Sequence, residues 1–304
     1  MKPLILGTRG SDLALAQSKL VREALSTAHP GMIIEQRIIT TTGDARKAMP
    51  LHEPTAEGAG LFTKQIEEAL LRKEIDFAVH SLKDLPVETP PGLMLAAILP
   101  RASSVDLLVS RHPGGLSGLP TGAIIGSSSP RRALLIKHRR PDLQVIPIRG
   151  NVPTRLQKLA QESSYDATIL AAAGLGRLGH DLASGTLLIE GLPLSLESLD
   201  WMLPAPGQGA IAVETRSEDR AAEMLSILHD ENTARCIEAE RLVLKYLGGG
   251  CHLALGALAI ASDAGIKLNA VFIPHPEAPP VVGEAWASTP AEAARNVADQ
   301  LLSQ

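Results

Sequence analysis

Cys251 lies where a thiol is suited to covalent chemistry. Three consecutive glycines, Gly248 to Gly250, run directly into this residue, which is one of two cysteines in the chain. Because glycine has no side chain to restrict its backbone, such a loop can approach a bound molecule closely. The sequence therefore suggests an attachment point for a ligand, although a small buried cysteine at a turn would have the same pattern. The other cysteine, Cys236, falls within a helical pattern and is predicted to pack in a core.

Arginines follow several predicted strands at or just after their carboxyl ends. In open α/β sheets ligands bind at that edge, where helix N-termini add positive dipole ends. Guanidinium groups bind carboxylates or phosphates with two parallel hydrogen bonds. The pattern predicts a small ligand with several negative charges, whereas solvated surface arginines would have no reason to share one kind of edge. The six residues are Arg9, Arg131, Arg132, Arg149, Arg155 and Arg177.

Asp84 follows Lys83 at the end of a predicted strand, near the arginine edge. A carboxylate there can accept a hydrogen bond from a donor N–H, stabilise a developing cation and transfer protons. The alternative is a helix or turn cap, or an ion pair with Lys83 or an arginine. No group of His, Cys, Asp and Glu has the spacing of a metal site, so no metal is predicted. Ser127 to Ser129 lack a nucleophile-elbow pattern, which favours helix capping and anion binding.

The elements that position these residues alternate between strand and helix as far as residue 214. This alternation predicts an α/β fold with mixed, largely parallel sheets, followed by a small α+β unit at the C-terminus. Residues 43–60 have no periodic pattern, and a segment of that length inside a compact domain is typical of a lid or of a disordered segment. Ser11 and Ser129 are predicted to cap the helices that follow them.

Composition narrows the class of protein. The chain has 304 residues, 45% of them hydrophobic, which suggests two or three domains. A net charge of −4 and only 2% aromatic residues favour neither nucleic acid nor an anionic membrane surface as a partner. No apolar segment approaches the ~20 residues that a transmembrane helix needs, and the first residues do not resemble a signal peptide. With two cysteines, we expect a soluble protein of the cytoplasm.

The sequence resembles the porphobilinogen deaminase family over essentially the whole chain. Each motif is modest alone, but their order along the chain is specific. The motifs are Thr8-Arg9-Gly10-Ser11, Thr41-Thr42-Gly43-Asp44, His80-Ser81-Leu82-Lys83-Asp84, Ser128-Ser129-Pro130-Arg131-Arg132, Ile148-Arg149-Gly150-Asn151, Ala171-Ala172-Ala173-Gly174-Leu175, Pro204-Ala205-Pro206-Gly207-Gln208-Gly209 and Gly249-Gly250-Cys251.

The resemblance implies three domains. Residues 1–101 and 195–216 would form the first, with Asp84 and the lid 43–60, and residues 102–194 would form the arginine-rich second. These two would be periplasmic-binding-protein-like lobes with a cleft between them. Residues 217–304 would form a small α+β domain that carries the cysteine loop.

The resemblance also implies an activity. The family attaches a dipyrromethane cofactor through a thioether to the cysteine that matches Cys251. It then condenses four porphobilinogen molecules, with release of ammonia, to the linear tetrapyrrole hydroxymethylbilane, in haem biosynthesis. Asp84 would be the catalytic carboxylate that pairs with pyrrole N–H groups. The residues expected to bind cofactor and substrate are Arg9, Gln17, Ser81, Lys83, Ser128, Ser129, Arg131, Arg132, Arg149, Arg155, Ala171, Arg177, Gln208 and Gly209. A monomer with no nucleic acid or membrane partner is expected.

One departure and two alternatives stand beside this interpretation. The family usually has a lysine where this chain has Ala59, so one positive charge is missing at the end of the predicted lid. A non-catalytic two-lobed protein that binds an organic anion would explain the arginines, but not Cys251 or Asp84. A transferase with Cys251 as a thiolate nucleophile would need a base, and only His252 is near it in sequence.

Overall fold

A computed structural model describes residues 3–41, 63–249 and 253–303 of the chain. The predicted lid 43–60 and the predicted attachment residue Cys251 lie outside these ranges. The strands are β1 (Leu4–Thr8), β2 (Ile34–Ile38), β3 (Phe77–Ser81), β4 (Leu93–Ile98), β5 (Asp106–Ser110), β6 (Ile124–Gly126), β7 (Gln144–Ile146), β8 (Ala167–Ala171), β9 (Thr186–Ile189), β10 (Leu192–Ser198), β11 (Ile211–Arg216), β12 (Ala254–Ser262), β13 (Gly265–Ile273) and β14 (Val281–Ala287). The α-helices are α1 (Asp12–Ala28), α2 (Lys64–Leu71), α3 (Gly115–Gly118), α4 (Pro130–Arg139), α5 (Val152–Gln161), α6 (Ala172–Arg177), α7 (Arg220–Leu225), α8 (Glu231–Tyr246) and α9 (Pro290–Leu302).

Two mixed sheets form the α/β part of the molecule. The first has the strand order β2-β1-β3-β11-β4, and the second has the order β7-β6-β8-β5-β10-β9. In each sheet the first three strands are parallel and the remaining pairs are antiparallel. This arrangement confirms the predicted α/β class with two lobes, each with parallel pairs on one side and antiparallel pairs on the other.

The third sheet, β12-β13-β14, is antiparallel and is covered by α8 and α9. Cys236 packs in the apolar core between these helices and the sheet, as its helical pattern predicts. Ile237 of α8 instead joins a buried cluster with Leu82 and Leu85 of the first lobe. Helix α8 therefore contacts both its own sheet and the turn that follows β3.

Polar caps at helix starts fix the direction of the segments that leave the strands. The Ser11 hydroxyl accepts a hydrogen bond from the Ala14 N–H at 3.4 Å, and Ser129, followed by Pro130, accepts one from the Arg132 N–H at 3.4 Å. Both caps confirm the sequence prediction. The cap at Ser129 places Arg131 and Arg132 in the first turn of α4.

The return of the chain from the second sheet to the first begins later than expected. Residues 195–198, predicted to belong to the first domain, lie in β10 and pair with β5, for instance Ser195 with Ser110. The chain reaches the first sheet at β11. Apart from this shift, the three-domain division remains a proposal. No helix in the described part of the chain is long and apolar enough to cross a membrane.

Candidate active site

The carboxylate of Asp84 is exposed at the end of a 3-10 turn, Leu82–Asp84, which directly follows β3. The preceding Lys83 is only partly exposed, and its ammonium donates a hydrogen bond to the Gln208 side-chain oxygen at 3.2 Å. The same short turn therefore exposes the Asp84 carboxylate to solvent and directs the Lys83 ammonium toward Gln208.

The ammonium group of Lys83 has a lowered pKa. Burial, together with the charges of Arg132 and Arg131, lowers the pKa of this ammonium to about 8, although the charges of Asp84 and Asp106 act in the opposite direction. A cation with a lowered pKa gains from a nearby anion, because the anion favours the protonated form. Lys83 is therefore suited to contact a carboxylate of a bound ligand.

Arg131 and Arg132 are buried rather than exposed at the edge of the sheet. Their guanidinium groups each donate to the Asp106 carboxylate, at 2.7 Å from Arg131 and 2.6 Å from Arg132. Arg131 also donates to the Leu203 carbonyl at 2.7 Å, and Arg132 to the Ile169 carbonyl at 2.8 Å. Within the described residues, the Nε atom of each arginine is buried without a hydrogen-bond partner. Each guanidinium group is therefore held in place by its bonds to Asp106 and a backbone carbonyl, while its Nε–H remains available to donate one more hydrogen bond.

Asp106 holds this arrangement together, and the sequence analysis missed it. Burial by itself would raise the pKa of its carboxyl, but the charges of Arg132 and Arg131 outweigh burial and hold that pKa well below its ordinary value. Its oxygen Oδ1 also accepts from the Gln208 side-chain amide at 2.8 Å. The available signal was an acidic residue at the start of an otherwise apolar strand, since a buried charge requires partners.

Gln208 connects the two lobes at this point. It lies on the segment between β10 and β11, is buried, and bonds to Lys83 on one side and Asp106 on the other. The neighbouring Gly209 has a φ of +92°, and a Cβ there would lie 2.4 Å from the Ala102 carbonyl oxygen. A side chain at Gly209 would therefore collide with backbone and move Gln208 out of place.

Arg155 belongs to the same charged group. Burial lowers the pKa of its guanidinium, the charge of Arg132 lowers it further, and the charge of Asp84 raises it. Its Nε donates to the Gly150 carbonyl at 2.9 Å, which holds the side chain against the start of α5. The acid of the first lobe and this arginine of the second are thus electrostatic neighbours.

The remaining predicted arginines have other surroundings. Arg177 donates to the Gly209 carbonyl at 2.6 Å and lines an open groove of about 470 Å³ together with Lys19 of α1. Arg9 follows β1 and Arg149 lies before α5, and both side chains are partly buried. The structure therefore groups Arg131, Arg132 and Arg155 with Lys83 and Asp84, and it places Arg177 against the segment between the lobes.

The predicted polar and small site residues mostly shape the backbone around this group. Gln17 and Ser81 bond to each other at 2.9 and 3.1 Å, which ties α1 to the end of β3. The Ser128 hydroxyl donates to the Ile148 carbonyl at 2.8 Å, next to the capping Ser129. Ala171 ends β8 and is partly exposed. Ser81 and Ala171 end their strands, Ser128 follows β6 and Gln17 lies within α1. Their part in binding cofactor or substrate stays a prediction.

Comparison with known proteins identifies the family. Among solved structures, the BenM effector binding domain with its effector benzoate is 16% identical, with a TM-score of 0.43, covering 82% of this chain and 94% of that one. The model of "Porphobilinogen deaminase, dipyromethane cofactor binding domain" matches residues 4–224, and that of the "Porphobilinogen deaminase, C-terminal domain" matches residues 234–302. The chain belongs to the porphobilinogen deaminase family.

Curated porphobilinogen deaminases support this assignment. That of Rubrobacter xylanophilus is 42% identical, and the match covers 99% of this chain and 94% of the relative's length. That of Roseiflexus sp. strain RS-1 is 46% identical over 84% of this chain and 81% of its own length.

The loop that should carry the cofactor of a porphobilinogen deaminase starts at the end of α8. This helix ends at Tyr246, and Gly248 and Gly249 have φ angles of +92° and +65°. Glycine adopts this left-handed backbone without the strain that other residues incur. The predicted attachment residue Cys251 follows outside the described residues, so its role stays a prediction.

The charged group described above fits the dipyrromethane cofactor of porphobilinogen deaminases. As the resemblance implies, that cofactor carries acetate and propionate side chains. Burial and the charge of Arg132 lower the pKa of both Lys83 and Arg155, and the buried Nε atoms of Arg131 and Arg132 have no partner among the described residues. Carboxylates would relieve the repulsion and accept the unused hydrogen bonds.

Proposed function

We propose that this protein condenses four porphobilinogen molecules head to tail, with release of ammonia, to hydroxymethylbilane on a dipyrromethane primer bound to Cys251. The main support for this proposal is that the chain belongs to the porphobilinogen deaminase family and has an exposed Asp84 near the cations Lys83 and Arg155. When bound, the dipyrromethane supplies the free pyrrole carbon to which the first substrate is joined. We also propose that the protein acts as a monomer on this small-molecule substrate, without nucleic acid.

Asp84 acts in this proposal on the nitrogen of a pyrrole ring. Loss of ammonia from the substrate leaves positive character on that nitrogen, whose N–H can donate to a carboxylate. The Asp84 carboxylate is exposed, so it can receive this donor, and a fixed negative charge there stabilises the cation as it forms.

The cations orient the substrate by its carboxylates. The charge of Asp84 acts on both Lys83 and Arg155, so the two cations lie near this carboxylate. Acetate and propionate groups bound by these cations would direct the ring nitrogen to Asp84. Such orientation brings the two reacting carbons together at an effective concentration far above that in solution. Arg9, Arg149 and Arg177 would supply further contacts for the growing chain.

The intact mass of the purified protein under denaturing conditions tests the proposed function. We expect the wild type to carry added mass equal to two linked porphobilinogen-derived units, and the Cys251→Ser variant to lack it. Cys236→Ala is the matched control, because this second cysteine is buried in the core of the third sheet and should leave the added mass intact. A wild type that stays unmodified after incubation with porphobilinogen would contradict the proposal and favour an anion-binding protein.

The lowered pKa of Lys83 has its own test in the cofactor-free Cys251→Ser variant. Labelling of Lys83 by an amine-reactive reagent should reach half its maximum near pH 8, because the reactive neutral amine forms as the pH rises through that pKa. An ordinary lysine would reach half-maximal labelling at about pH 10.4. Peptide mass mapping across pH measures the midpoint, and the double variant with Lys83→Gln should lose the early-titrating peptide. A midpoint near pH 10 would mean that the site is less cationic and more hydrated than described.

A further inference from the structure

Arg241 reaches from α8 into the turn that carries Asp84. Its Nη1 atom donates to the carbonyls of Leu82 and Leu85 at 3.5 and 3.3 Å. Its Nη2 atom donates to the carbonyl of Pro86 and, at 3.0 Å, to that of Val87. One side chain of the C-terminal unit thus bonds to backbone on both sides of the candidate catalytic residue.

The contacts of Arg241 fall where the backbone has little regular structure. Residues 85–87 belong to no helix or strand, so their carbonyls are not used in a sheet or helix. The Leu85 N–H closes the 3-10 turn onto the Leu82 carbonyl at 3.1 Å. A planar guanidinium with five donors in a fixed fork can bond several carbonyls at once, which a lysine ammonium does less well.

Helix α8 is a rigid base for this contact. The residue before Arg241, Glu240, is fully buried and accepts hydrogen bonds from Arg101, from the Gly207 N–H at 2.8 Å and from the Ala259 N–H at 2.9 Å. Ile237, one turn earlier, packs against Leu82 and Leu85. The helix is therefore fixed both to the segment between the lobes and to the turn itself.

Arg241 is partly buried, which reduces competition from water for these bonds. Burial lowers the pKa of the guanidinium to about 10, which still leaves the group positively charged at neutral pH. The same helix ends five residues later, before the glycine loop that leads to Cys251. Arg241 therefore joins the turn of the proposed catalytic acid to the helix that precedes the glycine loop.

We propose that Arg241 is a positioning residue that fixes the Asp84 turn relative to the helix that carries the cofactor loop. The proposal rests on the proposed function, since Asp84 must be catalytic for its position to matter. It predicts that Arg241 affects the rate of the chemical step and leaves substrate binding largely unchanged.

The Arg241→Lys variant tests this with the charge retained. We expect kcat to fall by about ten- to a hundredfold, because a misplacement of about 1 Å has effects of that size. KM should stay within about twofold, since only the transition-state geometry is disturbed. The intact mass should still show the cofactor. Lys245→Met is the matched control: Lys245 lies on the same helix and contacts the same loop through exposed Glu88 at 3.2 Å, and its loss should leave kcat unchanged.

A double-mutant cycle separates positioning from general stability. In an Asp84→Asn background there is no carboxylate to position, so Arg241→Lys should change the residual rate by less than about twofold. An equal loss in both backgrounds, or wild-type kcat in Arg241→Lys, overturns the proposal. Arg241→Met serves as a second variant, and if it does not fold, the lysine variant and the cycle still decide. Failure of the proposed function is distinct, because the wild type itself would then form no hydroxymethylbilane.

Discussion

Replacing Asp84 with asparagine should lower kcat by about 10²-fold or more, which corresponds to about 2.7 kcal/mol of transition-state stabilisation. The amide keeps the shape and can still accept a hydrogen bond, but it has no negative charge to stabilise a cationic pyrrole. The charge of Asp84 also raises the pKa of both Lys83 and Arg155, so its loss makes the neighbouring cations less stable. Hydroxymethylbilane formation under saturating porphobilinogen measures the effect.

Two checks restrict this result to the Asp84 carboxylate. The intact mass should show that the variant still carries the cofactor, so that a missing primer does not explain the lost rate. Glu88→Gln is the matched control, because Glu88 is an exposed carboxylate on the same loop whose contact is the surface ion pair with Lys245. It should keep wild-type kcat. An Asp84→Asn variant with the cofactor and a rate within about threefold of wild type would exclude Asp84 from the electrostatic role assigned to it.

Replacing Asp106 with asparagine should destabilise the protein by about 3–5 kcal/mol. The carboxylate is fully buried and is the charge partner of two buried guanidinium groups, Arg131 and Arg132. Without it, two cations would remain in the interior with no compensating charge from this residue. Urea unfolding followed by circular dichroism measures the shift of the midpoint, with the wild-type transition as reference.

Asp142→Asn is the control for Asp106→Asn. Asp142 also pairs with an arginine of the second lobe, Arg140 at 2.8 Å, but both side chains are partly exposed, so its loss should cost only about 1 kcal/mol or less. Equal midpoints for the two variants would show that burial adds nothing to the Asp106 interaction.

The destabilisation by Asp106→Asn should depend on pH in one direction. The pKa of Asp106 is depressed in the folded state, so its stabilisation is present above the unfolded pKa of about 3.9. It is lost as the pH falls through the folded pKa, where the wild-type residue becomes a neutral acid. The difference in unfolding midpoint between wild type and Asp106→Asn should therefore be largest near neutral pH and shrink below about pH 4. A difference that is constant from pH 7 to pH 3 would contradict the electrostatic cause.

Local patterns in the sequence placed the main chemical groups correctly on the elements. Period and capping residues located β3 and the helix starts at Ser11 and Ser129, and hence Asp84, Arg131 and Arg132 at element ends. These features depend on neighbours a few residues away, so a single sequence contains them. The order of the motifs gave the family for the same reason, because it is a property of the chain alone.

Strands β9 and β10 were missed although part of their signal was present. Leu192, Leu194 and Leu196 alternate with other residues, which is the two-residue period of a strand. Pro193 and the neighbouring Gly191 weakened the pattern, since both residues are depleted in strands. Pairing with β5 on one side of β10 supplied what the local sequence lacked.

Only the tertiary structure determined which partners the charged side chains bind. The sequence predicted arginines at the edge of a sheet, whereas packing buried Arg131 and Arg132 around Asp106, 25 and 26 residues away. Gln208 reaches Lys83 and Asp106 across more than 100 positions, and Arg241 bonds to carbonyls more than 150 positions away. Such partners are set by how the lobes and α8 pack, and no local period encodes them. A buried charge must find a partner, but its sequence position alone does not say which one.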